Sequence, residues 1–446
     1  MCESEPLMSP TLYGDGVHDD APAIQAMLDS GASEIFLPVP KERYAIGETL
    51  RIHGGQTLRL GATTEIRLLP MKDCCMLTNA DPGDDPALHI TVTGGIWNRD
   101  NMRQPPHPDA PKPAPGHEYP MSRNGPEHWD AHPEYDKAAV VDEPFDLPRE
   151  RKYLNTHWNF IMAFTHARYF TLRDLTFKDP TTFAFFGAYL EYFTIENIRF
   201  DFNHGNPYAI NMDGIHLDGG CRFGHIRNLQ GSCYDDLIAL NADDFVHGPI
   251  EDLEIDGIFS DNCHSAVRML TTKSWIRRIT ISNIYGTFFQ YCVGVSRYFY
   301  RPEEKDRLGL YSDIVLRNIF ASKAPRYGYY CKNNGYVYSL IWIEQYLYIR
   351  RLSIENLRRM ETETPIHTIL VQPHTRIDSL SLRHCSQENK LNVPITFLRH
   401  EGSIGKLYLE DIETNGDVLK QGAGTIDHLY CTEDMKADLK ADCIDS

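Results

Sequence analysis

Four short segments carry acidic and imidazole side chains at matching places: MDGIHL from Met212, DDLIAL from Asp235, HSAVRM from His264 and YCVGVS from Tyr291. Laid over one another, the first three put Asp213, Asp236 and Ser265 in one column and Met212, Asp235 and His264 in the next. If the segments are strands of successive coils, about 4.8 Å apart, then Asp213, Asp235, Asp236 and His264 form one patch. Carboxylates that close repel one another, so the group binds a proton more readily than isolated aspartates do. Hydrolysis of a glycosidic bond needs such a set: one carboxyl protonates the leaving oxygen, and another activates water or attacks the anomeric carbon. His264 can tune its neighbours or hold a sugar hydroxyl, and Arg268 can bind a ring hydroxyl or a carboxylate. Aspartates also shape turns in repeat proteins, and Asp243 and Asp244 of NADDF are read that way.

The elements that would position these groups come from an internal repeat. An apolar-x-apolar-x-Asn/Asp-apolar phrase returns as TLRDLTF, TIENIRF, HIRNLQG, EIDGIFS, TISNIYG, VLRNIFA, SIENLRR and YLEDIET. Its second apolar position falls at Leu172, Ile195, Ile226, Ile255, Ile281, Leu316, Ile354 and Leu409, with early steps of 23, 31, 29 and 26 residues. Alternating apolar residues specify strands with one buried face, and the polar residue suits a tight turn. The steps are too short for strand–helix units and fit one coil of a right-handed parallel β-helix, an all-β fold. A propeller or sandwich would need antiparallel hairpins, and few hairpin-turn dipeptides occur. Before the repeat, Asp19 or Asp20 offers a cap for an amphipathic helix with Ala21, Ile24, Ala26, Met27 and Leu28, suited to closing the first coil.

The expected organisation is a single β-helix domain over residues 1–446. Residues 101–155, rich in Pro and His, break the pattern and read as an active-site lid; 297–313 reads as a second loop walling the cleft. Phe183, Phe185 and Phe186 are expected in the core, and Tyr291, Tyr298 and Tyr300 in the cleft.

Sixty-two acidic against 44 basic residues give a net charge of -18, which disfavours nucleic acid and anionic lipid as partners. No apolar run approaches the ~20 residues of a membrane span. The expected partner is an oligosaccharide substrate, and self-association stays open. Eleven cysteines without a CxxC do not resemble a disulfide framework, and no basic-then-apolar segment opens the chain. A cytoplasmic location is expected, with an exported enzyme trimmed of its signal as the alternative. The nineteen histidines show no paired ligand spacing, so neither a catalytic metal nor a cofactor is expected.

NMDGIHL, YDDLIAL and CHSAVRM together resemble the Asn-x-Asp, Asp-Asp and Gly-His-Gly series of glycoside hydrolase family 28, the polygalacturonases, within the pectate-lyase-like β-helix superfamily. GDGVHDDAPAIQAML and GGIW resemble its early coils. The resemblance implies Asp236 as general acid, Asp213 and Asp235 holding the water for inversion, His264 in support and Asn211 as the family asparagine. Arg268, Tyr291 and Arg297 join Asn211 as substrate-binding residues. Two departures stand out: Cys263 and Ser265 flank His264 in place of glycines, and YCVGVSRYF offers Arg297 but Phe299 where the family pairs Arg with Lys. The expected activity is exo-hydrolysis of uronate-containing or related pectic oligosaccharides, with a neutral sugar open. A calcium-dependent lyase, an intramolecular transglycosylase and a non-catalytic carbohydrate-binding β-helix are the alternatives.

Overall fold

The computed structural model describes residues 10–72, 74–80, 86–104, 160–202, 211–297, 307–324 and 338–432. Within them the chain winds as a parallel β-helix whose strands pair in register with those of the next coil. One buried column runs Ile35, Leu58, Val92, Leu172, Ile195, Ile226, Ile255, Ile281, Leu316, Ile354, Leu382 and Leu409. Every repeat position read from the sequence is in it, and Leu382 supplies a coil that the pattern skipped.

The Asn or Asp of each phrase turns the corner from this face to the next. Asp174, Asn197, Asn228, Asn283, Asn318, Asn356 and Asp411 all have left-handed backbones, with φ between 53° and 60°. That region costs most side chains about 1–2 kcal/mol, and Asn and Asp tolerate it best. Gly257 and His384 take the same place in their coils, at φ 81° and 53°. The amides also chain together: Asn228 Nδ2 donates to Asn197 Oδ1 at 2.7 Å, and Asn197 Nδ2 to Asp174 Oδ1 at 2.7 Å. Asn356 donates to Asn318 at 2.9 Å, and Asn318 to Asn283 at 3.0 Å. Beyond the corner a second buried column runs Leu175, Ile198, Leu229, Ile258, Ile284, Ile319 and Leu357.

The third face carries the aspartates. Its buried column includes Phe185, Ile215, Ile238, Val267, Val293, Ile341 and Ile369. Alternation then sends the next residue of each strand outward: Phe186, His216, Ala239, Arg268, Gly294 and Trp342.

The helix Ala21–Leu28 buries Ala21, Ile24 and Leu28 in the same core cluster as Ile35 and Leu50, closing that end; Ala23 is buried as well, and Ala26 is exposed instead. Asp20 stands at its N-cap, but its carboxylate accepts from the backbone N–H of Tyr13 at 2.6 Å and Ala45 at 3.1 Å. Asp19 Oδ1 accepts the Ala21 N–H at 2.9 Å, so the tether of the first turn comes from the residue before the cap.

Asn101–Arg103 form a 3-10 turn followed by the buried Gln104; residues 105–155 of the expected lid lie outside the described residues, as do Tyr298 and Tyr300. The expected loop at 297–313 is shorter than the sequence suggested, because the strand Gly309–Lys323 has begun by Gly309. Its apolar positions Tyr311 and Ile314 are drawn into the stack by pairing with Ile276 and Ile279. Among the described residues no helix is long and apolar enough to cross a membrane. Cys233 and Cys263 are thiols whose sulfurs lie 3.4 Å apart on neighbouring coils.

Candidate active site

Asp236 opens the strand Asp236–Asn241 and pairs in register with Ser265, which pairs with Tyr291. One coil earlier stands Asp213: the N–H of Gly214 donates to the Asp236 carbonyl at 3.0 Å, and the Asp236 N–H to Asp213 Oδ1 at 3.3 Å. The column is therefore Asp213, Asp236, Ser265, Tyr291. Matching YCVGVS by its first letter would put Tyr291 opposite His264. Instead Tyr291 keeps the 26-residue offset of Ile255 and Ile281 and pairs with Ser265; a bulge precedes it, where Cys263 pairs with Phe288 and two residues, Phe289 and Gln290, lie across from His264 alone.

Asp236 is buried at the centre. Its Oδ1 accepts the Ser265 hydroxyl at 2.5 Å and the Tyr291 hydroxyl at 3.1 Å, and Arg268 Nη1 lies 3.7 Å from Oδ2. Burial pushes its carboxyl up, opposed by the Arg268 charge and the two hydroxyls. Asp213 is pushed well up by burial and then by Asp236. Asp235 is more open, and its Oδ1 lies 3.7 Å from His264 Nδ1. Burial, with Arg268 and Lys323 nearby, lowers His264 to about 3, so it is neutral at physiological pH. The Tyr291 ring lies over Gly294, where a Cβ would fall 2.7 Å from the ring, and stacks on Trp342 at 5.5 Å. A side chain at 294 would evict it.

Arg268 shares an outward column with His216, which is why it reaches the carboxylates from four residues beyond His264; its Nε also donates to Ser296 Oγ at 3.2 Å. Arg297 lies apart at the end of its strand. Its N–H donates to Glu344 Oε2 at 2.6 Å, and its guanidinium sits 5.2 Å from the Tyr346 ring centroid. Asn211 is half-buried with a left-handed backbone at φ 51°, two residues before Asp213.

His216 was not singled out by the sequence reading. Its Nδ1 lies 2.7 Å from Asp213 Oδ2, and its ring stacks on Phe183 at 4.0 Å and on Phe186 at 5.7 Å. Its Nε2 lies 3.8 Å from Asp244 Oδ2. The phenylalanines divide accordingly: Phe185 enters the core, whereas Phe183 and Phe186 point outward with Phe160 and Phe245 and wall His216 in. The acidic pair of NADDF divides too. Asp243 Oδ2 accepts the N–H groups of Thr272, Lys273 and Ser274 and holds that turn, while Asp244 accepts from Asn241 Nδ2 at 3.0 Å and faces His216.

One ligand atom each from Asp235, Asp236 and His264 lies within 4.8 Å of the others, a donor set that a divalent cation fits.

No protein-family model matches the sequence, and no curated protein does. Solved structures do match. The family 28 exopolygalacturonase of Yersinia enterocolitica aligns with a TM-score of 0.61 at 14% identity, covering 94% of this chain and 76% of that one. The tailspike protein of E. coli bacteriophage HK620, solved with a pentasaccharide, gives 0.56 at 9% identity, covering 94% and 76%. The A-module of the Azotobacter vinelandii mannuronan C-5 epimerase AlgE4 gives 0.52 at 10%, covering 94% and 98%. The likeness shows that this chain shares the parallel β-helix fold of these proteins; at such identities fold is what is shared, and function has to be argued from the site.

Proposed function

We propose that the protein is a carbohydrate-active enzyme, a glycoside hydrolase acting through Asp213, Asp235 and Asp236. The observation that carries this reading is the column of Asp213 and Asp236 on adjacent coils, with Asp235 and His264 beside it. Buried carboxyls with raised proton affinity next to a more open one are the ingredients of acid and base catalysis at a sugar acetal. Arg268 and Tyr291 confine the reacting centre, and Asn211 contributes a polar contact at its edge. The substrate class is short pectic or related plant oligosaccharides attacked from one end, and the site of action is the cytoplasm. The principal cations at the site are already engaged, Arg268 by Asp236 and the Arg297 guanidinium by the Tyr346 ring, which favours neutral sugars over uronates within that class.

The test is turnover of a panel of pectic oligosaccharides and aryl glycosides, following reducing ends and the ultraviolet absorbance of unsaturated products, with and without EDTA. Release of sugar without absorbance and without sensitivity to EDTA is expected. The second reading is elimination by a lyase, favoured by the Asp235, Asp236 and His264 donor set; it requires a bound cation and an absorbing product, and that outcome would replace hydrolysis.

A further inference from the structure

His216 sits behind Asp213 in a box of rings, yet both its nitrogens face carboxylates. The 2.7 Å contact between Nδ1 and Asp213 Oδ2 holds a single proton: either Nδ1–H donates to a carboxylate, or a carboxyl O–H donates to bare Nδ1. Asp244, 3.8 Å from Nε2, decides between them. A bare Nε2 would turn its lone pair toward a carboxylate, whereas an Nε2–H turns a positive edge to it. Asp236, by contrast, is surrounded by groups that favour its anion: the Ser265 and Tyr291 hydroxyls and the Arg268 guanidinium.

We propose that His216 is a positioning residue that keeps the resting proton of the site on Asp213, making Asp213 the acid while Asp236 stays ionised. This rests on the hydrolase reading and reverses the roles that the family resemblance implies for these two aspartates. In the step itself, the Asp213 O–H turns from Nδ1 of His216 to the glycosidic oxygen and passes its proton there as the bond from the anomeric carbon breaks, its electron pair leaving with that oxygen. Water adds to the anomeric carbon and gives its proton to the ionised carboxylates, Asp235 or Asp236. His216 stays neutral throughout and holds the Asp213 proton until transfer.

The charged and titratable groups facing His216 are Asp213 beside it, Asp244 across it, and Asp236 and Arg268 on the next two coils; Phe183, Phe186 and Phe245 present only rings. Burial lowers the imidazole to about 4, in keeping with a neutral acceptor.

The test uses the aryl glycoside that wild type cleaves in the panel, with leaving groups from alkyl alcohol to dinitrophenol. A dinitrophenolate needs no protonation, so Asp213→Asn is expected to keep activity on it within about tenfold while losing about 10³-fold on the alkyl glycoside; Asp236→Asn is expected to lose both. His216→Phe keeps the ring stack but removes the acceptor that favours protonated Asp213, so the alkaline limb of its pH–rate profile is expected to move down. His216→Asn, with an amide oxygen near the Nδ1 position, is expected to restore part of that shift. If Asp236→Asn is the variant that spares the dinitrophenyl substrate, or if folded His216→Phe keeps the wild-type profile, the assignment is overturned.

Should wild type cleave nothing, the hydrolase reading fails, and ring ¹⁵N shifts of labelled protein still decide the His216 part. A neutral ring with hydrogen on Nε2 between pH 5 and 8, moving to Nδ1 in Asp244→Asn, is expected. An imidazolium at pH 6, or a tautomer unmoved by Asp244→Asn, would overturn it.

Discussion

Replacing Asp236 by Asn separates what the site does for catalysis from what it does for stability. Asparagine has nearly the same shape, and its Oδ1 can still accept the Ser265 and Tyr291 hydroxyls. What disappears is the negative charge 3.7 Å from Arg268 and one coil from Asp213. A charged group acting directly in acid–base chemistry contributes about 10²–10⁴ in rate, or roughly 3–5 kcal/mol of barrier. The effect on folding has the other sign. Burial raises the folded pKa of Asp236 above its unfolded value near 3.8. Its contribution to stability is therefore fully present below that value and lost as pH rises through the raised one. At pH 7 the wild type holds a costly buried charge that the variant lacks, offset in part by Arg268 losing a counter-charge. The expectation is a Tm at pH 7 equal to or above that of wild type, a difference that narrows as pH falls toward 4, and turnover down by at least 10²-fold. Reducing-end assays on the active substrate and thermal unfolding at pH 7 and 4.5 measure both. A folded variant with more than a tenth of wild-type turnover would refute the reasoning, as would a loss of activity explained by a fall in Tm.

Tyr291→Phe removes one hydroxyl from Asp236 Oδ1; hydrogen bonds to charged groups are worth about 1.5–3 kcal/mol, so kcat/KM should fall about 10- to 100-fold, and the acidic limb of the pH–rate profile should move up as the Asp236 anion loses a donor. Asn228→Ala should destabilise by about 1–3 kcal/mol in denaturant unfolding, because it loses the 2.7 Å bond to Asn197 and puts alanine at φ 54°; Asn228→Gly, free of the backbone strain, should cost less. His216, His264, His367 and His400 have folded pKa values lowered to about 4, 3, 4 and 4, so the stability they contribute is complete above pH 6.5 and lost as pH falls from there toward 4. Tm measured from pH 7.5 to 4 should fall across that window, and His400→Gln should flatten the slope; an unchanged slope would remove His400 from this account. EDTA should leave hydrolysis unchanged, and an activity restored only by added Ca²⁺ would reassign Asp235, Asp236 and His264 as cation ligands.

The repeat was legible because core and corner impose it on every coil. An inward Leu or Ile and a corner residue tolerant of positive φ have to recur wherever the chain turns, and the sequence shows both. The coil of Leu382 escaped because His384 fills the corner place, a residue that a search for Asn or Asp passes over. The carboxylate column was legible for the same reason, since stacking converts matching places into contacts. His216 was not, because GIHL reads as a core strand containing one polar residue. The available signal was its place: it is the fifth residue of MDGIHL, as Arg268 is of HSAVRM, so the two share an outward column. The position of Tyr291 was legible too, because the step of 26 residues from Ile255 to Ile281 also carries Ser265 onto Tyr291; matching the four segments by their first letters passed over it.

The bulge at His264 bears on how such a cleft can diverge. Across Ser260 to Ser265 the pairing slips twice in opposite senses, with Asp261 and Asn262 against Thr287 alone and His264 alone against Phe289 and Gln290, so Ile258 meets Ile284 before the irregularity and Val267 meets Val293 after it. A strand without this slack would answer a one-residue insertion by turning its whole core face outward. Here the two opposite slips cancel within the corner beside His264, and the core keeps one register on either side of it. Residues at that corner can shift against one another while the stack above and below goes on pairing, so the surface beside Asp235 and Asp236 has room to change without any loss of register in the core.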